Sequence, residues 1–304
     1  MAVLGGAALL AWALTSGSES RARAPSKAPA GATAAGVPTP TSRRFDGPRA
    51  FALLRAQVRD YGWRPAGSRA LRRLAVRLRG LLPDGRFEAV AGRPGLRNIV
   101  GTIPGREPAI LVAAHYDVES VPKGFVGAND GAAGTAAVVY LAKALARAPR
   151  SARARALRFV LFDGEEEPAG CADFLNCGLR GSRSYAERHA KQVRSMVLLD
   201  YIAAKEDLRF AREGGSDAAL WEQLRSAAAA VGVGALFPVG LSYGEILDDH
   251  TPFTSRGVRA IDIIDFDYPQ RDTLADNLDA VSQRSLDAVG EAVYRLVVRL
   301  RAAR

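Results

Sequence analysis

Polar clusters follow three apolar runs in this chain. His115-Tyr116-Asp117 comes after ILVAA, Asp163-Gly164-Glu165-Glu166 after FVLF, and Asp200 after MVLL. Each apolar run reads as a strand, so each strand delivers an imidazole or a carboxylate to the same edge of a sheet. Gathering that many carboxylates out of water raises their pKa values and is costly unless a cation offsets the charge. A divalent metal is such a cation, and one His among several carboxylates suits zinc.

Asp130 lies in GANDGAAG, where small residues let the backbone turn tightly before a helix. A carboxylate there can bridge two metals, or serve only as a helix N-cap; the neighbouring candidate ligands favour the metal. Glu165 and Glu166 point different ways on an extended chain, so one can bind metal while the other handles a proton. The chain has three histidines. His189, in AERHAKQ, reads as solvent-facing and His250 stands in DDHTPF, which leaves His115 as the ligand candidate. Asp117, on the same face of an extended segment, is placed to hydrogen-bond its imidazole.

The elements that must position these residues alternate along the chain. Strands are expected over 98–102, 109–114, 157–162, 193–199 and 260–264, several apolar on both faces as covered central strands must be. Two helices come first, capped by Asp46 and Ser68, and others are expected over 131–148, 182–190, 216–231 and 282–303. This order predicts an α/β fold, a three-layer α/β/α sandwich on a central mixed, mostly parallel twisted sheet, with ligands bound in the crevice at the strand ends.

The rest of the chain sets the context. Of its 304 residues, 43–304 suit one catalytic domain. Residues 3–15, VLGGAALLAWALT, are short for a membrane span but right for a signal core, so 1–18 read as a signal peptide or N-terminal anchor and the protein as exported. Residues 19–42, rich in Ala, Pro, Ser, Thr and Gly, read as a disordered linker. The net charge of +10 is spread over arginines on many helices without a nucleic-acid motif, which argues against a nucleic-acid partner. Cys171 and Cys177, the two cysteines, either close a small loop in an oxidising compartment or stay unlinked.

Taken together, AAHYD, GANDGAAG, FDGEE, GSRSY, VLLDY, DDHTPF and YPQRDTLADNLDAVS, in that order and spacing, resemble the aminopeptidase Y family of zinc peptidases and the related glutaminyl cyclases. The resemblance implies that His115 and Asp200 bind one zinc ion, that Asp130 bridges, and that Glu166 binds a second. It makes Glu165 the general base, puts Asp248 where cyclases have a catalytic carboxylate, and casts His250 in a supporting role. The family's last ligand, a His before Thr, is here Asp272, so the second metal would see only oxygens. One or two zinc ions are therefore expected.

The leading expectation is an aminopeptidase acting on peptide or protein N-termini by metal-activated water, with Asp248 or Asp249 receiving the substrate amine. The alternative is a glutaminyl cyclase, which DDHTPF favours and the placement of tryptophan only at Trp12, Trp63 and Trp221 disfavours. A third reading, a binding protein that has lost catalysis, rests on Asp272 alone.

Overall fold

Side-chain caps start the first two helices. In the computed structural model, which describes residues 36–149, 151, 153–171 and 173–303, Asp46 accepts the N–H of Arg49 at the head of α1 (Gly47–Ala56) and Ser68 that of Leu71 at the head of α2 (Arg69–Leu81). Each satisfies an N–H with no partner inside the helix. The sheet strands are β1 (Arg86–Ala89), β2 (Arg97–Ile103), β3 (Arg106–His115), β4 (Arg155–Phe162), β5 (Val193–Asp200) and β6 (Arg259–Ile264). Between and after them come α3 (Ala132–Arg147), α4 (Phe174–Cys177), α5 (Arg180–His189), α6 (Ala218–Ala230), α7 (Thr251–Thr254) and α8 (Gln283–Ala302).

The strand order is β1-β2-β4-β3-β5-β6. From β4 through β6 the pairing is parallel, while β1 and β2 add an antiparallel edge. This is the expected mixed, mostly parallel sheet. Alternating side chains divide its core in two. Ile110, Val112, Val197, Leu199 and Ile261 face one layer with Ala136 of α3, Leu224 of α6 and Leu296 of α8. Leu111, Ala113, Met196 and Leu198 face the other with Tyr185 of α5 and Phe253 of α7. Because both faces are covered, the parallel strands are mostly apolar on both sides, with Asp262 of β6 a buried exception, and the polar clusters gather at their C-terminal ends.

Two expectations change. β1 went unread because RFEA is short and only partly buried, as an edge strand can be. The linker expected over 19–42 ends earlier: Val37 and Pro40 are buried, and the Thr41 N–H donates to the Val231 carbonyl at 2.9 Å. One apolar side chain and a backbone hydrogen bond dock that stretch beside α6. The expected signal or anchor at 1–18 and the linker up to residue 35 lie outside the described residues. Among the described residues no helix is long and apolar enough to cross a membrane. Cys171 and Cys177 form a disulfide around α4, which resolves the alternatives left open for them.

Candidate active site

Strand β3 ends on His115, and its Nε2 lies 3.2 Å from Asp130 Oδ1 and 3.3 Å from Asp200 Oδ1. Asp200 is the last residue of the neighbouring strand β5, so parallel pairing brings the two side by side. Asp130 comes from the turn into α3. That turn needs Gly131 at φ +79°, where a Cβ would stand 2.6 Å from the Asp117 carbonyl oxygen. Asp276 anchors the turn by accepting the N–H groups of Asn129 and Asp130 at 2.9 and 3.0 Å.

Glu165 and Glu166 occupy the loop after β4. Their N–H groups donate to Asp117 Oδ1 and Oδ2 at 3.2 and 3.3 Å. From the other side, the Leu179 and Arg180 N–H groups donate to the Glu165 and Gly164 carbonyls, both at 2.8 Å. Asp117 therefore holds the double-glutamate loop; its Oδ1 stays 3.8 Å from His115 Nδ1, too long for the expected imidazole hydrogen bond. His115 Nδ1 is buried without a hydrogen-bond partner.

The carboxylates open into one cavity of about 340 Å³. Asp130, Glu165, Glu166, Asp200 and Asp248 line it, with an apolar wall of Phe174, Leu175, Ile246, Leu247, Ile264 and Phe266. Arg271 also lines it, its guanidinium stacked 3.9 Å from the Phe266 ring centre. Of the residues expected at the site, Asp272 lies across the Tyr201 hydroxyl from Asp130. That hydroxyl donates to Asp130 Oδ2 at 2.6 Å and lies 3.1 Å from Asp272 Oδ1.

Burial dominates the electrostatics. It pushes Asp200 up to about 7, against the opposing pull of His115. It drives Glu165 well above the carboxylate range, where His115 opposes the shift and Asp248, Asp249 and Asp117 add to it. For His115 burial acts downward, but Asp117, Asp130 and Asp200 outweigh it and hold the imidazole well above its usual value. Carboxylates crowded out of water around one imidazole favour a cation among them. His115, Asp130 and Asp200 offer one nitrogen and two oxygen donors within 4.8 Å of one another, a set that suits zinc.

His250 does not join His115. It is 1% exposed, with Nε2 3.3 Å from Glu213 Oε1 and Nδ1 3.9 Å from Asp262 Oδ2, in a group with Asp248. Glu213 in turn accepts the Gly215 and Ile246 N–H groups at 2.6 and 3.3 Å, tying the segment before Asp248 in place. His189, expected in solvent, is half-buried, 2.9 Å from Glu88 Oε1 and packed against the Tyr185 ring.

Sequence reasoning missed Tyr201, Glu213, Asp262 and Asp276. Asp262 carried a signal, a lone carboxylate inside the apolar run AIDII, which only a buried partner explains. Tyr201 directly follows Asp200 and reads as ordinary strand composition until its hydroxyl is located. Burial pushes this phenol well above its usual value, with Asp130, Asp272, Asp200 and Glu166 adding to the shift.

Comparison with known proteins identifies the family. Over 202 residues the chain is 28% identical to aminopeptidase YwaD of Bacillus subtilis, covering 62% of this chain and 40% of that protein. Over 240 residues it is 28% identical to the glutaminyl-peptide cyclotransferase of Bothrops jararaca, covering 66% and 64%. The chain thus spans less than two thirds of either relative. The crystal structure of an Acidobacteriales bacterium glutaminyl cyclase superposes with a TM-score of 0.75 at 27% identity, over 91% of this chain and 99% of that one. The model of peptidase family M28 matches residues 98–297, which include His115, Asp130, Glu165, Glu166, Asp200, Asp248 and Asp272. With that match over more than half its length, the chain belongs to peptidase family M28, whose members are hydrolases or acyltransferases.

Proposed function

We propose that the protein is a zinc-dependent aminopeptidase that removes residues from the N-termini of peptides or proteins. The observation that carries this reading is the approach of Asp130 Oδ1 and Asp200 Oδ1 to within 3.3 Å of His115 Nε2 beside Glu165, in a cavity with an acidic side and an apolar wall. A zinc ion held by these three residues would supply Lewis-acid polarisation of the scissile carbonyl and acidify water for attack. Glu165 takes the proton from the attacking water and passes it to the leaving amine.

Glu166 and Asp248 offer negative charge to the substrate's N-terminal ammonium, and Phe174, Leu175 and Phe266 receive an apolar side chain and exclude water. Export is part of the proposal, and the Cys171–Cys177 disulfide supports it, because such bonds persist in oxidising compartments.

Glutaminyl cyclisation is the second reading, favoured by the superposition on a cyclase and by Asp248 inside the cavity. Two observations weigh against it. Trp63 donates its indole N–H to the Glu119 carbonyl and Trp221 packs on Phe237 in the core, so neither lines the cavity. The position of the last expected metal ligand is also held by Asp272, which shares Tyr201 with Asp130. Zinc-loaded protein assayed on aminoacyl 4-nitroanilides and on a peptide beginning with Gln separates the two. Nitroaniline release without cyclised peptide is expected; cyclisation with loss of ammonia and no hydrolysis would overturn the peptidase reading.

A further inference from the structure

Asp130 turns its two oxygens in different directions. Oδ1 faces His115 Nε2 at 3.2 Å, and Oδ2 accepts the Tyr201 hydroxyl at 2.6 Å. The same hydroxyl lies 3.1 Å from Asp272 Oδ1. A second zinc ion would need Asp130 Oδ2, Glu166 and Asp272 as its donors, each about 2.0 to 2.2 Å away. Two of those three carboxylates already meet on one phenol oxygen, which stands where they would converge on an ion.

The phenol is not free to swing aside. Tyr201 is 6% exposed and sits at φ +46°, a left-handed conformation that fixes where its side chain leaves the backbone. Its N–H donates to Asp200 Oδ1 at 2.9 Å, and its ring packs 5.8 Å from that of Tyr268. Tyr268 is itself tied by its hydroxyl to Asp276, the anchor of the Asp130 turn, at 2.9 Å. One packed and hydrogen-bonded unit thus sets both the Asp130 carboxylate and the phenol that covers its outer oxygen.

We infer that Tyr201, paired with Asp272, closes the second metal position, so that the chain holds one zinc ion, at His115, Asp130 and Asp200. This rests on the reading of the protein as a zinc enzyme, and it concerns how many ions are bound and where.

The test is zinc content of the full chain after equilibrium dialysis, with an anomalous-scattering map at the zinc edge. The expected result is one ion per chain, beside His115, Asp130 and Asp200. The double variant Tyr201→Phe/Asp272→His removes the hydroxyl and supplies an imidazole, and should bind two. Two ions in the wild type, a single ion lying between Asp130 and Glu166, or a folded double variant that still binds one would overturn the inference and leave the zinc reading standing. No bound ion in the wild type would overturn both. If the double variant does not fold, the wild-type count and map decide.

Discussion

Asp117 Oδ1 accepts the backbone N–H of Glu165 at 3.2 Å, so a fully buried carboxylate two residues beyond His115 fixes the main chain of the proposed base. Because the backbone carries this restraint, altering the Glu165 side chain should not displace the loop. Glu165→Gln keeps the shape but cannot accept a proton. It should lower turnover roughly 100- to 10,000-fold while zinc content stays at the wild-type level. Near-normal turnover with metal bound, in steady-state kinetics paired with metal analysis, would remove Glu165 from the base role.

Zinc should stabilise the fold as well as support turnover, since its donors come together only in the folded chain. At a free zinc concentration of about 100 times Kd the gain is about 2.7 kcal/mol. For a domain of this size that corresponds to a rise in melting temperature of roughly 5 °C. Chelation should reverse the rise, and His115→Ala should abolish it. A zinc-induced shift of the same size in His115→Ala, by differential scanning fluorimetry, would place the ion elsewhere.

Asp217 both caps α6, accepting the Leu220 N–H at 2.7 Å, and meets Arg259 Nε at 2.9 Å from the neighbouring strand β6. The Arg259 hydrogen bond holds its carboxyl below the usual range, with burial opposing and the Leu220 N–H adding. A carboxyl depressed in the folded state stabilises above its unfolded pKa of about 3.9 and loses that contribution as pH falls through the folded value. At pH 7 Asp217→Asn keeps a cap and should cost up to about 1 kcal/mol. Asp217→Ala loses the cap too and should cost about 1 kcal/mol more. Urea denaturation should show the wild-type advantage over Asp217→Asn shrinking below about pH 4; a constant gap would mean the charge contributes nothing.

The loop closed by Cys171 and Cys177 carries Asp173, Phe174 and Leu175 onto the cavity wall. Opening it with Cys171→Ser/Cys177→Ser should loosen the wall while leaving His115 and Glu165 in place. KM for substrates with apolar side chains should then rise several-fold more than kcat falls, and stability should drop by about 2 kcal/mol or less. A loss confined to kcat would show that the loop acts on the chemistry itself.

The strand ends were legible because each is an apolar run that stops at a polar residue. ILVAA leads to His115 and MVLL to Asp200 by the same physics that buries both faces of the parallel sheet. Glu165 and Asp130 were legible from loop composition at those ends. What escaped is what depends on distant segments meeting. Tyr201 follows Asp200 in the chain, yet its meaning lies in a hydroxyl that reaches Asp130 and Asp272, each 71 residues away. Val37 escaped because one apolar residue in a stretch rich in Pro, Ala and Thr gives no periodicity, although it is enough to dock the stretch onto the core. β1 escaped because an edge strand needs one neighbour and little burial.

His115 and Asp200 stand side by side although 85 residues separate them, because β3 and β5 pair in parallel with a crossover between. No local segment of the chain contains the cradle, and a partly synthesised or partly threaded chain lacks it altogether. A zinc ion bound as proposed would therefore be held only after the central strands have found their register, since a one-residue slip would turn one of the two side chains to the opposite face.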